Sequence, residues 1–315
     1  MPGSRSSVKA PVLSVIVATW NRPERLDEAL NSISLQGEAV PFEVVVVNDG
    51  GVDVSDVVAR WARGMAVQCV NLDTNVGLAR ARNEGIRRAR GDILCFLDDD
   101  DIMLAGHLSA GARHLNGEVD AACVHVAVCD EFVTAGSVLR PTQVKAHYGA
   151  PFDDRLLMIC NFIPVSAAFI RRRADVSVAF DEALSQLEDW ELWLRLRQQL
   201  GYRFKTVPVT TAVYHRVPGF ASMTGRSRES ADVALSFRDT FRQITSRYPS
   251  RDKIVTEGRA LHDHFYAALA HTRRNSERVH PFAYEQFVAC MAAFTREEIS
   301  AEDAQARIDA LVIAR

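Results

Sequence analysis

The sequence lacks any apolar stretch long enough to span a bilayer. Its first apolar segment, residues 12–18, is soon followed by Asn21, Arg22 and Glu24, so it is too short for a membrane helix or for the apolar core of a signal peptide. No later segment reaches roughly 18 uncharged apolar residues. These absences predict a soluble, cytoplasmic protein with no membrane span.

Paired cysteine motifs are missing as well. The six cysteines form no C-x-x-C pair, and Cys69, Cys95 and Cys123 fall inside apolar, strand-like segments. Free cysteine is among the most often buried residues, and disulfides are rare in the cytosol. We therefore expect reduced, buried thiols and no cysteine metal or redox site.

The chain also has no basic surplus. Lys and Arg total 37 and Asp and Glu total 40 in 315 residues, for a formal net charge of −3. Because nucleic-acid binding depends on cationic side chains that neutralise phosphates, this balance argues against a nucleic-acid partner. A composition with 48% hydrophobic and 24% charged residues is typical of a globular protein with a sizeable core.

Two common phosphate-binding loops are absent. No G-x-x-x-x-G-K-[ST] sequence occurs, and no G-x-G-x-x-G sequence follows the first predicted strand. A P-loop ATPase and a dinucleotide-dependent dehydrogenase are therefore disfavoured. Any bound phosphate must be held in another way.

The first hundred residues contain an alternation of apolar strands and amphipathic helices. Predicted strands cover Leu13–Thr19, Phe42–Asn48, Ala66–Leu72 and Asp92–Leu97, and predicted helices begin at Pro23 and cover Val54–Trp61 and Gly77–Arg90. Asn21 is expected to cap the first helix. Strands this apolar are usually covered on both faces, so the pattern predicts an α/β fold with a doubly wound, mostly parallel sheet flanked by helices.

The rest of the chain is less regular. Helices are predicted for Leu104–Leu115 and Glu188–Leu200, strands for Ala121–Val128, Asn161–Arg171 and Phe204–Tyr214, and irregular structure for residues 131–157. From about residue 225 onward the apolar spacing predicts helices. These helices are expected to complete the core, with a homodimer contact, a cover over an acceptor site, or an apolar acceptor site on their Phe-rich face as alternatives.

Polar residues follow the predicted parallel strands at the points where they end. They are Thr19, Trp20, Asn48, Asp49 and the run Asp98–Asp101. In open α/β sheets, ligands bind beyond the carboxyl ends of the strands. We therefore expect these segments to meet in one cleft.

The four consecutive aspartates are the most informative motif. Adjacent carboxylates at the end of a buried strand repel one another, and a bound divalent cation would remove that penalty. Oxygen ligands suit Mg²⁺ or Mn²⁺ better than zinc. A helix cap would explain either Asp100 or Asp101, but it would not explain four aspartates.

Other residues near these strand ends have two interpretations each. The helix N-terminus near Gly77, with Arg80 or Arg82, suits a phosphate, although either arginine also fits a solvated helix face. Trp20 fits stacking on a base or packing as a partly buried aromatic residue. His215 fits an ordinary hydrogen-bonded histidine or a metal ligand.

A second acidic motif, Glu188–Asp189, precedes an apolar helix that contains Trp193. Acidic residues are favoured at the start of a helix, and this effect alone explains one of them. Two adjacent acids on a packed scaffold also fit a general base. The residues alone leave both interpretations open.

Together, five blocks in this order resemble family 2 glycosyltransferases. The blocks are LSVIVATWNRP (13–23), FEVVVVNDG (42–50), NVGLARARN (75–83), ARGDILCFLDDDD (89–101) and LEDWELWL (187–194). The resemblance implies the GT-A fold, a nucleotide-diphosphate-sugar donor linked to UDP, GDP or dTDP, a divalent Mn²⁺ or Mg²⁺ ion and inversion at the anomeric carbon. The implied acceptor is a hydroxyl group of a saccharide, a lipid-linked sugar or a natural product.

The resemblance assigns donor-binding roles. Thr19 and its neighbours would line the nucleoside pocket, and Asp49 would contact the base or the ribose. The donor-binding set expected on this basis is Thr19, Trp20, Asn21, Asp49, Gly77, Arg82, Asp98 and Asp99. Ala18 and Asn48 stand where the family often has proline and aspartate, so base recognition is expected to differ slightly.

The resemblance also assigns metal-binding and catalytic roles. Asp98 and Asp100 would be the two acids of the D-x-D motif, with Asp98 toward the ribose or sugar and Asp100 on the metal. Asp98 and His215 are the other expected metal ligands. Asp189 would deprotonate the acceptor hydroxyl, with Glu188 as the second choice.

The implied organisation has a flexible tail (1–10), a GT-A catalytic domain (11–224) and a C-terminal helical region (225–315). The catalytic domain is expected to divide into a nucleotide-sugar half (about 11–101) and an acceptor half (about 102–224). One alternative is a non-catalytic nucleotide-sugar-binding protein on the same fold. A second, a sugar-1-phosphate nucleotidyltransferase, would normally carry a G-x-G-x-R loop that this chain lacks.

Overall fold

A computed structural model describes residues 12–37, 39–220 and 230–312. The predicted N-terminal tail (1–10) and the predicted boundary near residue 225 lie outside the described residues. The division of the chain into those regions stays a prediction.

The first hundred residues form the parallel half of one sheet, as predicted. The strands are β1 (Leu13–Thr19), β2 (Phe42–Asn48), β3 (Val67–Asn71) and β4 (Ile93–Asp98), and the helices are α1 (Pro23–Ser34), α2 (Ser55–Trp61) and α3 (Leu78–Arg88). The strands lie in the order β3-β2-β1-β4 and every neighbouring pair is parallel. The strand–helix alternation in the sequence therefore predicted this half of the sheet correctly.

The central strand of this sheet is shielded from solvent because helices cover both faces of the sheet. All seven residues of β1 are buried. Gly85 lets α3 lie close to the sheet, since a Cβ atom at this position would be 2.5 Å from Ile16 Cγ2. The register pairs Thr19 with Asn48 and Ala18 with Asp98, so the polar strand ends lie side by side.

The second half of the sheet contains strands of both directions. It contains β5 (Ile102–Met103), β6 (Ala121–Cys129), β7 (Val144–Tyr148), β8 (Ala168–Arg171) and β9 (Phe204–His215), with helices α4 (His107–Ala112), α5 (Asp154–Ile159) and α6 (Glu188–Leu194). The full order is β3-β2-β1-β4-β8-β6-β9-β5, with β7 paired to β6. β8 runs antiparallel to both β4 and β6, so the sheet as a whole is mixed, whereas β1 to β4 are all parallel.

Several predictions in this half were wrong. Residues 131–157 were predicted to be irregular, but they contain β7, which pairs with β6, and most of α5. Neither element was predicted, because β7 carries little apolar patterning and α5 is too short to show a helical period. The predicted strand 161–171 is reduced to β8, which follows a 3₁₀ turn at Val165–Ala167. The helix expected at 104–115 spans only α4, which begins after Gly106 in the left-handed region.

Asn21 does not cap α1, contrary to the prediction. Its own backbone has a φ of 57°, and no side chain caps this helix. The Asn21 Oδ1 atom instead accepts a hydrogen bond from the backbone N–H of Val52 at 2.9 Å. Asn21 therefore ties the loop after β1 to the loop after β2.

The C-terminal part is helical, as expected, and packs on α5 and α6. It forms α7 (Ala231–Arg247), α8 (Lys253–Arg274), α9 (Ala283–Thr295) and α10 (Ala301–Val312). The Trp190 ring of α6 stacks on Phe241 of α7 with centroids 5.6 Å apart, and His262 of α8 donates from Nδ1 to the carbonyl of Ile159 at 2.7 Å. The core is continuous from the sheet into these helices. Within the described ranges, none of the helices combines the length and apolar character that a bilayer crossing needs.

Candidate active site

A cavity of about 450 Å³ lies at the carboxyl ends of β1, β2 and β4. It extends past the start of α6 to the C-terminal helices. The predicted residues that line it are Thr19, Trp20, Asp49, Gly77, Arg82, Asp98, Asp99, Asp100, Glu188 and Asp189. Asn21 and His215 are not among its lining residues.

The aspartate run is held by neighbours from the loop after β1. Thr19 Oγ1 donates to Asp99 Oδ2 at 2.8 Å, and Arg22 Nη1 donates to Asp99 Oδ1 at 3.1 Å and to Asp100 Oδ2 at 3.0 Å. Burial, followed by the nearby charges of Asp98 and Asp99, raises the pKa of Asp100 to about 7. The sequence reasoning did not single out Arg22, which is the cation closest to this end of the run.

His215 supports the aspartate run from behind. Its backbone N–H donates to Asp101 Oδ1 at 2.9 Å. Its Nδ1 lies 2.6 Å from the carbonyl of Asp100, and its Nε2 accepts from the N–H of Val133 at 3.0 Å. Because both ring nitrogens are engaged, this arrangement favours a positioning role and leaves no nitrogen free for the predicted metal ligation.

The carboxylates of this site suit a divalent cation. Asp98, Asp99, Asp100, Asp101 and Glu188 have only Arg22 and Arg82 as ion-pair partners in the described chain, so acidic groups outnumber arginines. Within the same ranges no three His, Cys, Asp or Glu side chains are grouped to hold a metal ion alone. Mg²⁺ and Mn²⁺ commonly bind one or two carboxylates together with phosphate oxygens and water, and the residues present fit that mode.

Asp49 organises the loop at the nucleoside end of the cavity. Its Oδ1 accepts from the N–H of Val76 at 2.8 Å, and its Oδ2 accepts from the N–H of Gly77 at 3.0 Å. Gly77 has a φ of 92° and begins α3. Trp20 lines the cavity and is 48% exposed, so stacking on a base and packing as a partly buried aromatic residue both stay open for it. The donor contacts expected of these residues stay predictions.

Arg82 joins the two acidic motifs. It is buried, and it donates from Nη2 to Asp98 Oδ1 at 2.5 Å and from Nη1 to Glu188 Oε1 at 2.6 Å. The solvated-face interpretation is therefore wrong for Arg82. It fits Arg80, which is exposed and pairs with Glu182.

Removing this bridge is expected to destabilise the fold. Arg82→Met would leave Glu188 and Asp98 without their cation, and breaking a buried pair costs about 3–5 kcal/mol in free energy of unfolding. Urea unfolding followed by circular dichroism at pH 7.5 measures the loss. Arg80→Met is the matched control and should cost less than about 1 kcal/mol, because its ion pair is exposed. Equal losses in the two variants would contradict this prediction.

α6 presents Glu188 and Asp189 from a rigid support. Leu187, its N-cap, has a φ of 58°, a conformation that is uncommon for leucine and is often found at functional sites. The buried indoles of Trp190 and Trp193 donate to the carbonyls of residues 157 and 163 at 2.8 and 3.0 Å. The apolar face of this helix thus holds both acids in place.

Asp189 is the acid of this pair that can exchange a proton. Its Oδ2 accepts from Asn161 Nδ2 at 2.9 Å, and its Oδ1 accepts from the N–H of Trp190 at 2.8 Å. Burial, followed by the charge of Glu188, raises its pKa to about 7, and Arg82 and Asn161 oppose that rise. Glu188 is already engaged with Arg82. A carboxyl with a pKa near neutrality suits general base catalysis.

Sequence reasoning missed the residues that reach Asp189 from the acceptor side. Asn161 contacts Asp189 directly, and its backbone carbonyl accepts from Tyr284 Oη of α9 at 3.1 Å. Phe237 and Phe265 line the cavity from the Phe-rich face of the C-terminal helices, which the sequence analysis offered as an apolar acceptor site. Other cavity-lining residues were missed, namely Tyr148, Ser166, Tyr214, Arg216 and Tyr266. Their positions carried no signal, because a lone polar or aromatic residue in an irregular or helical segment is usually structural.

Comparisons with known proteins agree with this geometry. The family model described as glycosyl transferase family 2 matches residues 14–178. The chain is similar to the uncharacterized glycosyltransferase YwdF of Bacillus subtilis (strain 168), at 31% identity over 238 residues, which cover 75% of this chain and 84% of YwdF.

Solved structures share the fold. S. aureus TarS 1–349 in complex with UDP-GlcNAc matches with a TM-score of 0.55 and 19% identity over 95% of this chain and 90% of that chain. The mannosyltransferase PcManGT from Pyrobaculum calidifontis, in complex with GDP-Man and Mn²⁺, matches with a TM-score of 0.55 and 21% identity over 95% and 79%. The predicted GT-A fold with C-terminal helices is confirmed. With a family model that covers more than half of the sequence, this chain is a glycosyltransferase that belongs to glycosyl transferase family 2.

Proposed function

We propose that this glycosyltransferase moves a sugar from a nucleotide-diphosphate-sugar to an acceptor hydroxyl, with a divalent metal and with inversion at the anomeric carbon. The observation that supports this best is the bridge through Arg82, which places Asp98 of the aspartate run and Glu188 beside Asp189 in one cavity. A donor-binding motif and a candidate base thus face the same space.

On the donor side, Asp49 and Thr19 would hold the nucleoside and Trp20 would stack on the base. Asp100 and Asp98 would hold Mn²⁺ or Mg²⁺. When bound, that cation supplies the positive charge that stabilises the departing diphosphate. Arg22 keeps Asp100 in place by its hydrogen bond.

On the acceptor side, Asp189 would take the proton of the attacking hydroxyl. Its Asn161 and Trp190 hydrogen bonds aim the carboxylate, and Glu188 stays paired with Arg82. Attack from the side of Asp189, opposite the leaving group, inverts the anomeric centre. The solved neighbours that bind UDP-GlcNAc and GDP-Man support a nucleotide-sugar donor without selecting its base.

A donor panel tests this proposal. UDP-glucose, UDP-GlcNAc, GDP-mannose and dTDP-glucose would be titrated calorimetrically and scored for nucleoside diphosphate release with Mn²⁺, with Mg²⁺ and with EDTA. We expect one nucleotide class to bind and to be turned over only with metal, and ¹H NMR of the product to show an inverted anomer. Turnover that is insensitive to EDTA would contradict the metal role. Tight binding without any turnover would favour the non-catalytic alternative.

The pH dependence of transfer should report Asp189. A base must be ionised to work, so kcat/KM is expected to rise about tenfold per pH unit below pH 7 and to level off above it, as the pKa of about 7 sets the midpoint. Asn161→Ala removes a hydrogen bond that lowers this pKa, so the midpoint should move to higher pH. Asn275→Ala, at an exposed position, is the control and should leave the profile unchanged. A rate independent of pH from about 1.5 units below the expected midpoint to about 1 unit above it would refute the base assignment.

A further inference from the structure

The part of the cavity beyond Asp189 has an aromatic wall. The rings are those of Tyr148 from β7, Tyr214 from β9, Phe237 from α7, Phe265 and Tyr266 from α8, and Tyr284 from α9. The hydroxyl groups of Tyr148 and Tyr284 donate within the protein, to Glu285 at 3.2 Å and to the carbonyl of Asn161 at 3.1 Å. Aromatic faces carry partial negative charge and attract the C–H groups of a saturated ring.

The charges around this wall are balanced. The cationic residues that line the described cavity are Arg22, Arg82 and Arg216, and each is paired with carboxylates. Arg216 is buried and lies 2.6 Å from Glu285 Oε1. Among the residues that the structure describes, an anionic acceptor such as a lipid phosphate would therefore find no uncommitted cation beside Asp189 to offset the repulsion.

Two polar groups of the cavity lack hydrogen-bond partners. Ser166 is 1% exposed, and its Oγ has no partner within the described residues. The Nε of Arg216, a residue that is 9% exposed, has none there either. Both residues line the cavity. A hydrocarbon acceptor would leave these groups buried and unsatisfied, whereas a hydroxylated acceptor would bond to them.

We infer that this wall binds an uncharged, hydroxylated saturated ring, a saccharide residue or a cyclitol, and that Ser166 is one of its binding residues. The inference rests on the proposed glycosyl transfer and names the acceptor class of the same site. The ring would lie against the aromatic faces, with hydroxyl groups bonded to Ser166 Oγ and Arg216 Nε, while the reacting hydroxyl faces Asp189. The C–O bond to the sugar forms as the bond to the diphosphate breaks, and the hydroxyl proton goes to Asp189.

An acceptor panel tests this inference. Wild-type protein with the donor that it hydrolyses would be offered methyl α-glucoside, methyl α-mannoside, myo-inositol, 4-nitrophenol and farnesyl phosphate, with products identified by mass spectrometry. We expect transfer to a glycoside or to the cyclitol, and the two arms distinguish these sources. Transfer only to the phenol or to the lipid phosphate would overturn the inference, and so would donor hydrolysis with no transfer to any ring. Failure to bind or turn over any donor would overturn the proposed function, and the inference with it.

Ser166→Ala supplies the residue-level test. Losing one hydrogen bond to the acceptor should raise the acceptor KM about tenfold, with a smaller effect on the donor KM. Ser246→Ala, at an exposed position of α7, is the matched control and should change neither value. An unchanged acceptor KM in Ser166→Ala, or equal increases in both KM values, would refute the role of Ser166.

Discussion

Asp189→Asn is expected to lower the transfer rate by about 10²–10⁴-fold while donor binding stays near the wild-type value. Asparagine keeps the shape of the side chain and can still pack beside Trp190, but it cannot accept the proton of the acceptor hydroxyl. Asp189 lines the cavity next to Glu188, and the Arg82 bridge separates this pair from Asp98 of the aspartate run. Initial rates and calorimetric donor titration measure the two effects separately.

Asp181→Asn is the matched control for this variant. Asp181 forms an ion pair with Arg247 near the protein surface and does not line the cavity, so its loss should leave transfer unchanged. Wild-type turnover by Asp189→Asn would refute the assignment of the base. A loss of donor affinity equal to the loss of rate would instead place Asp189 in donor binding.

The same variant should be more stable than the wild type at alkaline pH. The folded protein raises the pKa of Asp189 from 3.8 to about 7, so the folded state binds a proton more tightly than the unfolded state. The free energy of unfolding therefore falls as the pH rises from about 4 to 7, and the penalty is complete above pH 7. Removing the charge should recover about 4 kcal/mol at pH 8, since each pKa unit corresponds to about 1.4 kcal/mol, and nothing near pH 3.5. Such a gain would show that the ionised carboxylate of Asp189 destabilises the folded state.

Asp100→Asn is expected to lower transfer by about 10³-fold and to abolish the effect of metal on donor binding. Burial and the neighbouring acids raise the pKa of Asp100 to about 7, and Arg22 is the ion-pair partner of Asp100. A divalent cation would offset that repulsion, and an amide would bind it weakly. Donor titrations with and without Mn²⁺ measure the metal effect.

Asp130→Asn serves as the control for Asp100→Asn, because Asp130 lies outside the cavity and 3.7 Å from Lys145. It should keep both the rate and the response to metal. If Asp100→Asn kept its metal-dependent donor affinity, the metal would have to be held by other groups. His215→Ala distinguishes a positioning role of His215 from metal ligation. If His215 only positions the aspartate run, its loss should lower the affinity for metal less than Asp100→Asn does.

The C-terminal helices take part in the site as well as in the core. Tyr284 of α9 reaches the carbonyl of Asn161, and Asn161 in turn holds the carboxylate of Asp189. Packing was the expected role of this region, and it is fulfilled by contacts such as that of Trp190 with Phe241. Residues of these helices, such as Phe237, Phe265 and Tyr284, also line the cavity.

The sequence predicted secondary structure correctly where the residue pattern within a single segment was enough to identify the element. The strands β1, β2 and β4 are nearly continuous apolar segments, because both faces of these strands are buried. The strand β7 and the helix α5 were missed because their stability depends on partners, the edge of β6 and the surface of α8, that are distant in sequence. Asn21 was misassigned because a side chain that suits a helix cap also suits an Asx contact to a neighbouring loop.

By itself, the sequence determined the parallel half-sheet, the family and the carboxylates at the strand ends, because each depends on residues close together in the chain. Only the tertiary structure decided that Arg82 is buried between two acidic motifs, that both nitrogens of His215 are engaged, and that aromatic residues of distant elements line one cavity. Some of these contacts join residues that are more than a hundred positions apart in the sequence. Their energies come from burial and from charge pairing, which exist only after the chain has packed.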